Sequence, residues 1–520
     1  MTPHELAEAF GGQLDSEGRV VIPLADGELY PIGNILGFIH GELTRPDLLL
    51  ARVVAAVGRL APAPIPYPLP VPAPIPAPIP APIPAPIPAP IPAPIPAPIP
   101  APIPAPIPAP IPTPAGSPID AEFTGRYPAG TATQHVTLTG KDTNAGTAAA
   151  PKRTVLAAAR ALTAGGTVYV GDGNHGTLNL SGINGTANGW VIIRAANPLR
   201  AQFTTIWNSA AVRVKDCNYV ALHGFEVVGK DGPTYTDAGC VVISSAHHLA
   251  VWRCWTHHGT VGVGAVGNAG PINNLDICYN VVNDCAKWSP WASSGISIYN
   301  LWDSSRCGAA DGLDGYSNHV VGNICSNNFE STGPMTDGNG IIIDDANNTQ
   351  SYGGPAGLVY TGHTLVLGNV TVHNGGRGVH AAWSNNVHQM FNTSAHNNFN
   401  KPVSRFGEIM QMFSLTGGRV VGNLCAVDTA TGRSDWLDEY ANKGLVVDAN
   451  TRDFAWGSFA TKPPELALLN AGNVGTWRPA ADLKRVTVPA GMLAALRAWP
   501  TLLDTHRPVS GVWYPGALEA

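Results

Sequence analysis

Charge is scarce in this chain. Only 13% of its 520 residues are Asp, Glu, Lys or Arg, the formal net charge is −6 and the pI is near 6.2. No basic field is available to hold a phosphate backbone, and no Lys/Arg cluster stands out, so nucleic acid is not an expected partner. Long apolar runs are missing too. No segment reaches the 18 or so consecutive apolar residues of a membrane span, and "MTPHELAEAFGGQL" has early acids and no apolar stretch of signal-peptide length. Neither membrane insertion nor an export signal is therefore expected. Cysteine is absent before position 217, and Cys217, Cys240, Cys254, Cys278, Cys285, Cys307, Cys325 and Cys425 match no zinc spacing. They are expected as small buried core residues. Strong helix-forming stretches are few, whereas 58 glycines and 48 prolines favour turns, so a β-rich body is expected.

Three regions differ in composition. Residues 1–60 read as a small α/β docking or oligomerisation module, with a short helix at "PHELAEAF", a strand at "GRVVIPL" and an apolar helix at "RPDLLLARVVAAVGRL". Pro46 and Asp47 suit the first turn of that last helix. Residues 61–118 form a proline-rich stalk. From Pro62 to Pro114 every second residue is proline, mostly as A-P-I-P, so each remaining residue precedes a proline and is barred from the helical region. At ~3.1 Å per residue a straight polyproline II tract of this length reaches roughly 160 Å. It is either a stiff spacer or, through its isoleucines, an assembly element in a fibre.

Repeats decide the remainder, 119–520. "CYNVVNDC" (278–285) recurs as "VVGNICSNN", "VLGNVTVHN", "MFNTSAHNN" and "VVGNLCAVD", each with an asparagine at one point: Asn280, Asn323, Asn369, Asn392 and Asn423. The bare step is 23 residues, and steps of 43, 46 and 31 imply inserted loops. A second strand follows glycine in "SGISIYN", "NGIIIDD" and "RGVHAAW". Short strands at this period, with Gly and Asn at the corners, predict stacked coils of an all-β parallel solenoid, a right-handed parallel β-helix. Coils ~4.8 Å apart let inward asparagines bond the chains above and below.

The opening of this region, "KDTNAGTAAAPKRTVLAAARALTAGGTVYVGDG" (141–173), predicts a capping helix from about Arg153 to Leu162 followed by a strand. Together with the terminus "DTHRPVSGVWYPGALEA" it resembles parallel β-helix proteins of the pectate-lyase-like group, particularly the ninth polysaccharide lyase family. That resemblance spans about residues 135–520. It implies Ca²⁺ held by several aspartates and a Lys or Arg that removes the proton beside a uronate carboxylate. Here "DDANN" replaces the group's D-D-G-F-D pattern. Asp337, Asp344 and Asp345 are the candidate metal ligands, and Arg377 is the nearest candidate base.

Strand alternation aims the side chains. With Ile296, Ile341 and Val379 inward, Tyr299, Asp344 and His380 share an outer face. The insertions 301–318 and 346–362 are expected to wall it into a groove suited to a linear polymer. A hydrolase would need one carboxylic acid and one carboxylate, for which Glu330, Asp337, Asp344 and Asp345 offer pairings, with His380 orienting or relaying a proton. Asp345 and Asn347 alternatively cap turns. Trp288, Trp291, Trp302, Trp383 and Tyr299 are candidate sugar-stacking residues or loop anchors.

The layout of module, stalk and distal β-helix leads to the expectation of a virion-associated phage fibre or tailspike. Its β-helix would bind and degrade a host cell-surface polysaccharide, its N-terminal module would engage virion proteins, and it would form a homo-oligomer such as a trimer. A free or cell-surface bacterial polysaccharide lyase and a non-catalytic receptor-binding fibre are the alternatives.

Overall fold

The computed structural model describes residues 117–303, 314–332, 335–350, 355–400, 407–427, 436–452, 496 and 498–500. It also describes the backbone of short strands at Gln13–Leu14, Val20–Pro23, Leu29–Pro31, Val486–Thr487 and Val512–Trp513. The first three make an antiparallel sheet with Val20–Pro23 in the middle, which realises the expected "GRVVIPL" strand. The helices expected on either side of it, and the proline stalk, lie outside the described residues.

From Thr133 to Arg452 the chain winds through three long, wholly parallel sheets. Sheet A runs over nine strands from Leu178–Ser181 to Leu437–Tyr440, sheet B over eleven from Thr133–Val136 to Val446–Asp448, and sheet C over ten from Gly173–Asn174 to Thr451–Arg452. Each coil visits A, then B, then C. This is the right-handed parallel β-helix predicted from the repeats. Inward positions stack in register: Val212, Val241, Val263, Ile296, Ile341, Val379 and Ile409 form one apolar ladder in sheet A. All seven described cysteines are buried and none of them is in a disulfide; Cys307 lies outside the described residues.

The corner between sheets B and C carries the predicted asparagine ladder. The Asn280 side chain donates to Asn323 (3.0 Å), Asn323 to Asn369 (3.0 Å), Asn369 to Asn392 (2.9 Å), Asn392 to Asn423 (3.0 Å) and Asn423 to Asn450 (2.9 Å). Each acceptor oxygen also takes the backbone N–H of the preceding asparagine, as when Asn323 donates to Asn369 at 2.8 Å. The residue before each rung has positive φ. It is glycine at 322, 368 and 422, but Tyr279 and Phe391 also adopt this conformation. The Tyr279 ring lies over Gly322, where a Cβ would meet it at 2.5 Å, so only glycine fits there.

A second ladder, five residues on, lines the corner between sheets C and A. Asn328 donates to Asn374 (2.9 Å), Asn374 to Asn397 (2.8 Å), and Asn397 ends the series on the Glu408 carboxylate (2.6 Å).

The first coils are closed by the helix Val155–Arg160, shorter than the 153–162 expected, which buries Val155, Ala158 and Ala159. Its lead-in explains the "DTNAGT" string. Asp142 accepts from the Thr154 hydroxyl and N–H (both 2.8 Å) and from the Arg153 N–H (3.0 Å), while Asn144 donates to the Pro151 carbonyl (2.8 Å). An earlier helix, Pro118–Arg126, lies on the outer face of sheet B, where Ile119 and Phe123 join Trp190, Trp252, Tyr279 and Trp499 in a second apolar cluster. Its polar edge is tied down by Arg253 to Asp120 (2.9 Å), Tyr127 to Asp276 (2.5 Å) and Arg126 to Asp314 (3.3 Å). His319 bridges both acids, with Nδ1 2.6 Å from Asp276 and Nε2 2.9 Å from Asp314. Burial alone would lower the His319 pKa, but the two flanking carboxylates outweigh it and the net shift is upward. Burial likewise opposes ionisation of Asp276 and Asp314, but His319 and Arg126 outweigh it and hold both below the ordinary carboxylate range.

Two outcomes follow for stability. Asn369→Ala strands the N–H of Asn323 and the Val320 carbonyl that Asn369 serves. At ~1–3 kcal/mol per buried unsatisfied group, calorimetry should show a marked fall in the thermal midpoint. The carboxylate contribution is present above pH ~4 and lost as pH falls through the depressed values, whereas the His319 contribution is full below pH ~6.5 and lost as pH rises through its raised value. The thermal midpoint of the wild type should therefore decline on the alkaline side. His319→Gln should lose that decline and melt lower near pH 6, breaking a buried pair worth ~3–5 kcal/mol.

Candidate active site

The outer face of sheet A has the register read from the sequence. Tyr299 pairs with Asp344 and Asp344 with Ala382, while Ser297, Ile342, His380 and Met410 form the neighbouring row. Tyr299 and Asp344 thus sit side by side, and His380 lies on the next strand, two positions back. Two turns of the C-to-A corner feed this face. The turn before Ile341–Asp344 supplies Glu330 and Asp337, and the turn before Val379–Ala382 supplies Arg377.

Glu330 is fully buried and pinned from two directions. The Ser293 N–H donates to one carboxylate oxygen (2.7 Å) and the Asp337 N–H to the other (3.0 Å). Burial, reinforced by the negative charge of Asp337, pushes its pKa up to about 8, so the acid form prevails at neutral pH. Asp337 is also raised by burial, but less freely, because Arg377 opposes the shift from 3.9 Å away and Asn339 donates to the carboxylate. Arg377 also donates to the Thr336 carbonyl (2.9 Å), which holds the guanidinium against this turn. Asp344 is driven well above the ordinary carboxylate value by burial and by its neighbours Asp337 and Asp345, against which the Gln350 side chain donates a hydrogen bond (3.2 Å). His380 is held neutral by burial and by the charge of Arg377. Neither of its ring nitrogens meets a hydrogen-bond partner among the described residues, although the side chain is only 5% exposed. Such groups are costly unless something polar reaches them.

The structure separates the remaining candidates from this centre. Asp345 has φ +46° and its carboxylate accepts four hydrogen bonds: from the Thr349 N–H (2.8 Å) and hydroxyl (2.9 Å), the Gln350 N–H (2.9 Å) and Asn300 (3.0 Å). It is a turn-capping group with its oxygens spent. Trp302 is a loop anchor, its indole N–H donating to the Gly267 carbonyl (2.7 Å) and its backbone bridging Ile272. Trp383 stacks on Phe413 at 4.8 Å at the A-to-B corner. The expected groove walls are only partly described. Of them, Tyr360 turns inward to Ser317 (2.7 Å) and Asn318 (3.1 Å).

The donor set does not suit Ca²⁺. Among the described residues no three His, Cys, Asp or Glu side chains converge as metal ligands, and the Asp345 carboxylate is committed to its turn. Nor does Arg377 suit a base, because a guanidinium beside a carboxylate keeps its proton. Sequence reasoning missed Ser293 and Asn339. Both act through turn backbone or short hydrogen bonds, which no periodicity announces.

No protein-family model matches the chain and no curated protein matches it. Among solved structures it is similar to pectate lyase Pel9A, at 13% identity over 74% of this chain and 89% of that one, with a TM-score of 0.37. It is similar to a rhamnogalacturonan lyase at 13% identity over 62% and 74%, with a TM-score of 0.33. It is also similar to the A-module of Azotobacter vinelandii mannuronan C-5 epimerase AlgE6, at 14% identity over 57% and 88%, with a TM-score of 0.31. At these distances the likenesses carry no argument about chemistry, and the fold rests on the chain's own strand pairings.

The contrast between adjacent aspartates is open to measurement. Asp345→Ala should lower the thermal midpoint by undoing the turn, by ~1–3 kcal/mol for each donor left stranded, whereas Asp344→Asn should leave it nearly unchanged.

Proposed function

We propose that this protein hydrolyses glycosidic bonds of a cell-surface polysaccharide, with Glu330 as general acid and Asp337 as the partner carboxylate. The observation that carries the reading is the Glu330 carboxyl, buried, oriented by two backbone N–H groups and protonated near neutral pH beside a second acid paired with Arg377. Glycoside hydrolysis needs this division between an acid and a carboxylate. Glu330 donates its proton to the leaving glycosidic oxygen. Asp337 either takes a proton from the attacking water or attacks the anomeric carbon itself, according to the separation of the two groups in the substrate complex. His380, neutral and with both ring nitrogens open, is placed to hydrogen-bond sugar hydroxyls. Asp344 and Tyr299 flank the same face.

The order of segments supports carrying this activity on a virion fibre or tailspike: a small N-terminal module, a proline stalk and a distal β-helix. In that setting residues 1–60 engage virion proteins, the chain self-associates as a homo-oligomer such as a trimer, and the β-helix meets the host polysaccharide outside the cell.

The test is incubation of the purified protein with capsular, pectic and alginate polysaccharides, following new reducing ends and the ultraviolet absorbance of unsaturated products, with and without chelator. Hydrolysis gives reducing ends alone, insensitive to chelation; unsaturated products that vanish with chelator would instead establish a metal-dependent lyase. Glu330→Gln and Asp337→Asn should each lower kcat by ~10²–10⁴-fold. Because the acid form of Glu330 is the active one, wild-type activity should fall as pH rises through about 8. An activity indifferent to both substitutions would remove the assignment.

A further inference from the structure

The three most exposed large apolar side chains among the described residues are Ile206 (69%), Trp207 (68%) and Trp291 (69%). All lie on the C-to-A corner. Trp207 follows the sheet C strand Ala201–Thr204 and Trp291 follows Val281–Asn283. In sheet C these strands are three steps apart, through Glu226–Val228 and Trp255–His257. At ~4.8 Å per step that is about 14 Å along the axis. One further step brings Ile324–Ser326 and, in the turn after it, Glu330 and Asp337.

Both indoles stand on the same local device. In Thr205-Ile206-Trp207 the buried Thr205 hydroxyl accepts the Trp207 N–H (3.1 Å), and in Ser289-Pro290-Trp291 the buried Ser289 hydroxyl accepts the Trp291 N–H (3.2 Å). Cross-coil bonds stiffen the corner between them and the acids. Asn208 accepts from the Asp237 N–H (2.7 Å), Ser293 donates to the Thr260 carbonyl (2.7 Å), and the Thr332 hydroxyl donates to the Ser289 carbonyl (3.1 Å). Ser293, two residues beyond Trp291, is also the residue whose N–H orients Glu330 (2.7 Å).

We infer that Trp207 and Trp291 are two stacking platforms of a saccharide-binding track that runs along the C-to-A corner, parallel to the β-helix axis, and delivers one polysaccharide chain to Glu330 and Asp337. An indole face offers a flat apolar surface to the C–H face of a pyranose ring, and a backbone already pinned in place loses little freedom when the sugar arrives. Platforms separated by several coils grip an extended chain and leave a monosaccharide weakly held. The track rests on the polysaccharide reading above.

Affinity electrophoresis of the full chain through gels containing polygalacturonate, alginate, hyaluronan, xylan or dextran tests it, with folding monitored by circular dichroism. The wild type and Glu330→Gln should be retarded alike by at least one of these polymers. Trp207→Ala and Trp291→Ala should each weaken that binding by about tenfold, Trp207→Phe and Trp291→Phe should restore much of it, and kcat on a short oligosaccharide should hold while KM on the polymer rises. Equal retardation of the wild type and the Trp207→Ala/Trp291→Ala double variant overturns the track and leaves the acid assignment standing. Weakened binding in the tryptophan variants together with full activity in Glu330→Gln supports the track and overturns the acid assignment. No retardation of the wild type by any polymer overturns the track.

Discussion

The structure depends on the vertical hydrogen bonding of asparagine amides buried at two corners of the coil. A parallel solenoid must turn its backbone three times per coil, and each turn exposes N–H and C=O groups that the sheets cannot satisfy. An amide offers one acceptor and two donors in a plane, so a column of them serves the turn above and the turn below at once. Because each rung from Asn280 to Asn423 donates to its counterpart in the next coil, the column fixes which residue lies over which. A slip of one residue would bury the wrong face of every strand.

The second column links this constraint to the candidate chemistry. Asn328 stands two residues before Glu330, and its amide is held by Asn374 in the next coil. The turn that carries the acid therefore leaves the ladder from a fixed point. Inserted residues then vary freely between rungs without moving the rungs, which is how the turns before Ile341 and Val379 bring Asp337 and Arg377 together although they differ in length. Local irregularity sits on an invariant frame, and Glu330, Asp337, Asp344 and His380, all shifted by burial, gather where turn and sheet A meet.

How much of this was legible follows from period. The coil, the first ladder and the facing of Tyr299, Asp344 and His380 were readable because they repeat with the strands, and Gly295, Gly340 and Gly378 mark the start of the sheet A strands that fix the alternation. The second ladder stands in the same strings, five residues on, but its place is taken by Cys285 in the first and Asp428 in the last, so it does not recur through every repeat. Alternation aims Asp344 outward but leaves Asp345 open between ligand and turn cap: what decides it is a positive φ and four bonds to the following turn and to Asn300. Glu330 was legible as a candidate but not as a protonated acid. That property comes from burial under a turn of irregular length, and neither burial nor length has a period to read.

The helix Pro118–Arg126 precedes the first coil in sequence, yet it is fastened to Arg253, Asp276 and Asp314, residues of coils well inside the stack. Unfastening the helix therefore requires breaking charged contacts to coils in the middle of the stack, and not to the first coil alone. The start of this region and the interior of the stack are coupled: neither can open at that flank without loosening the other.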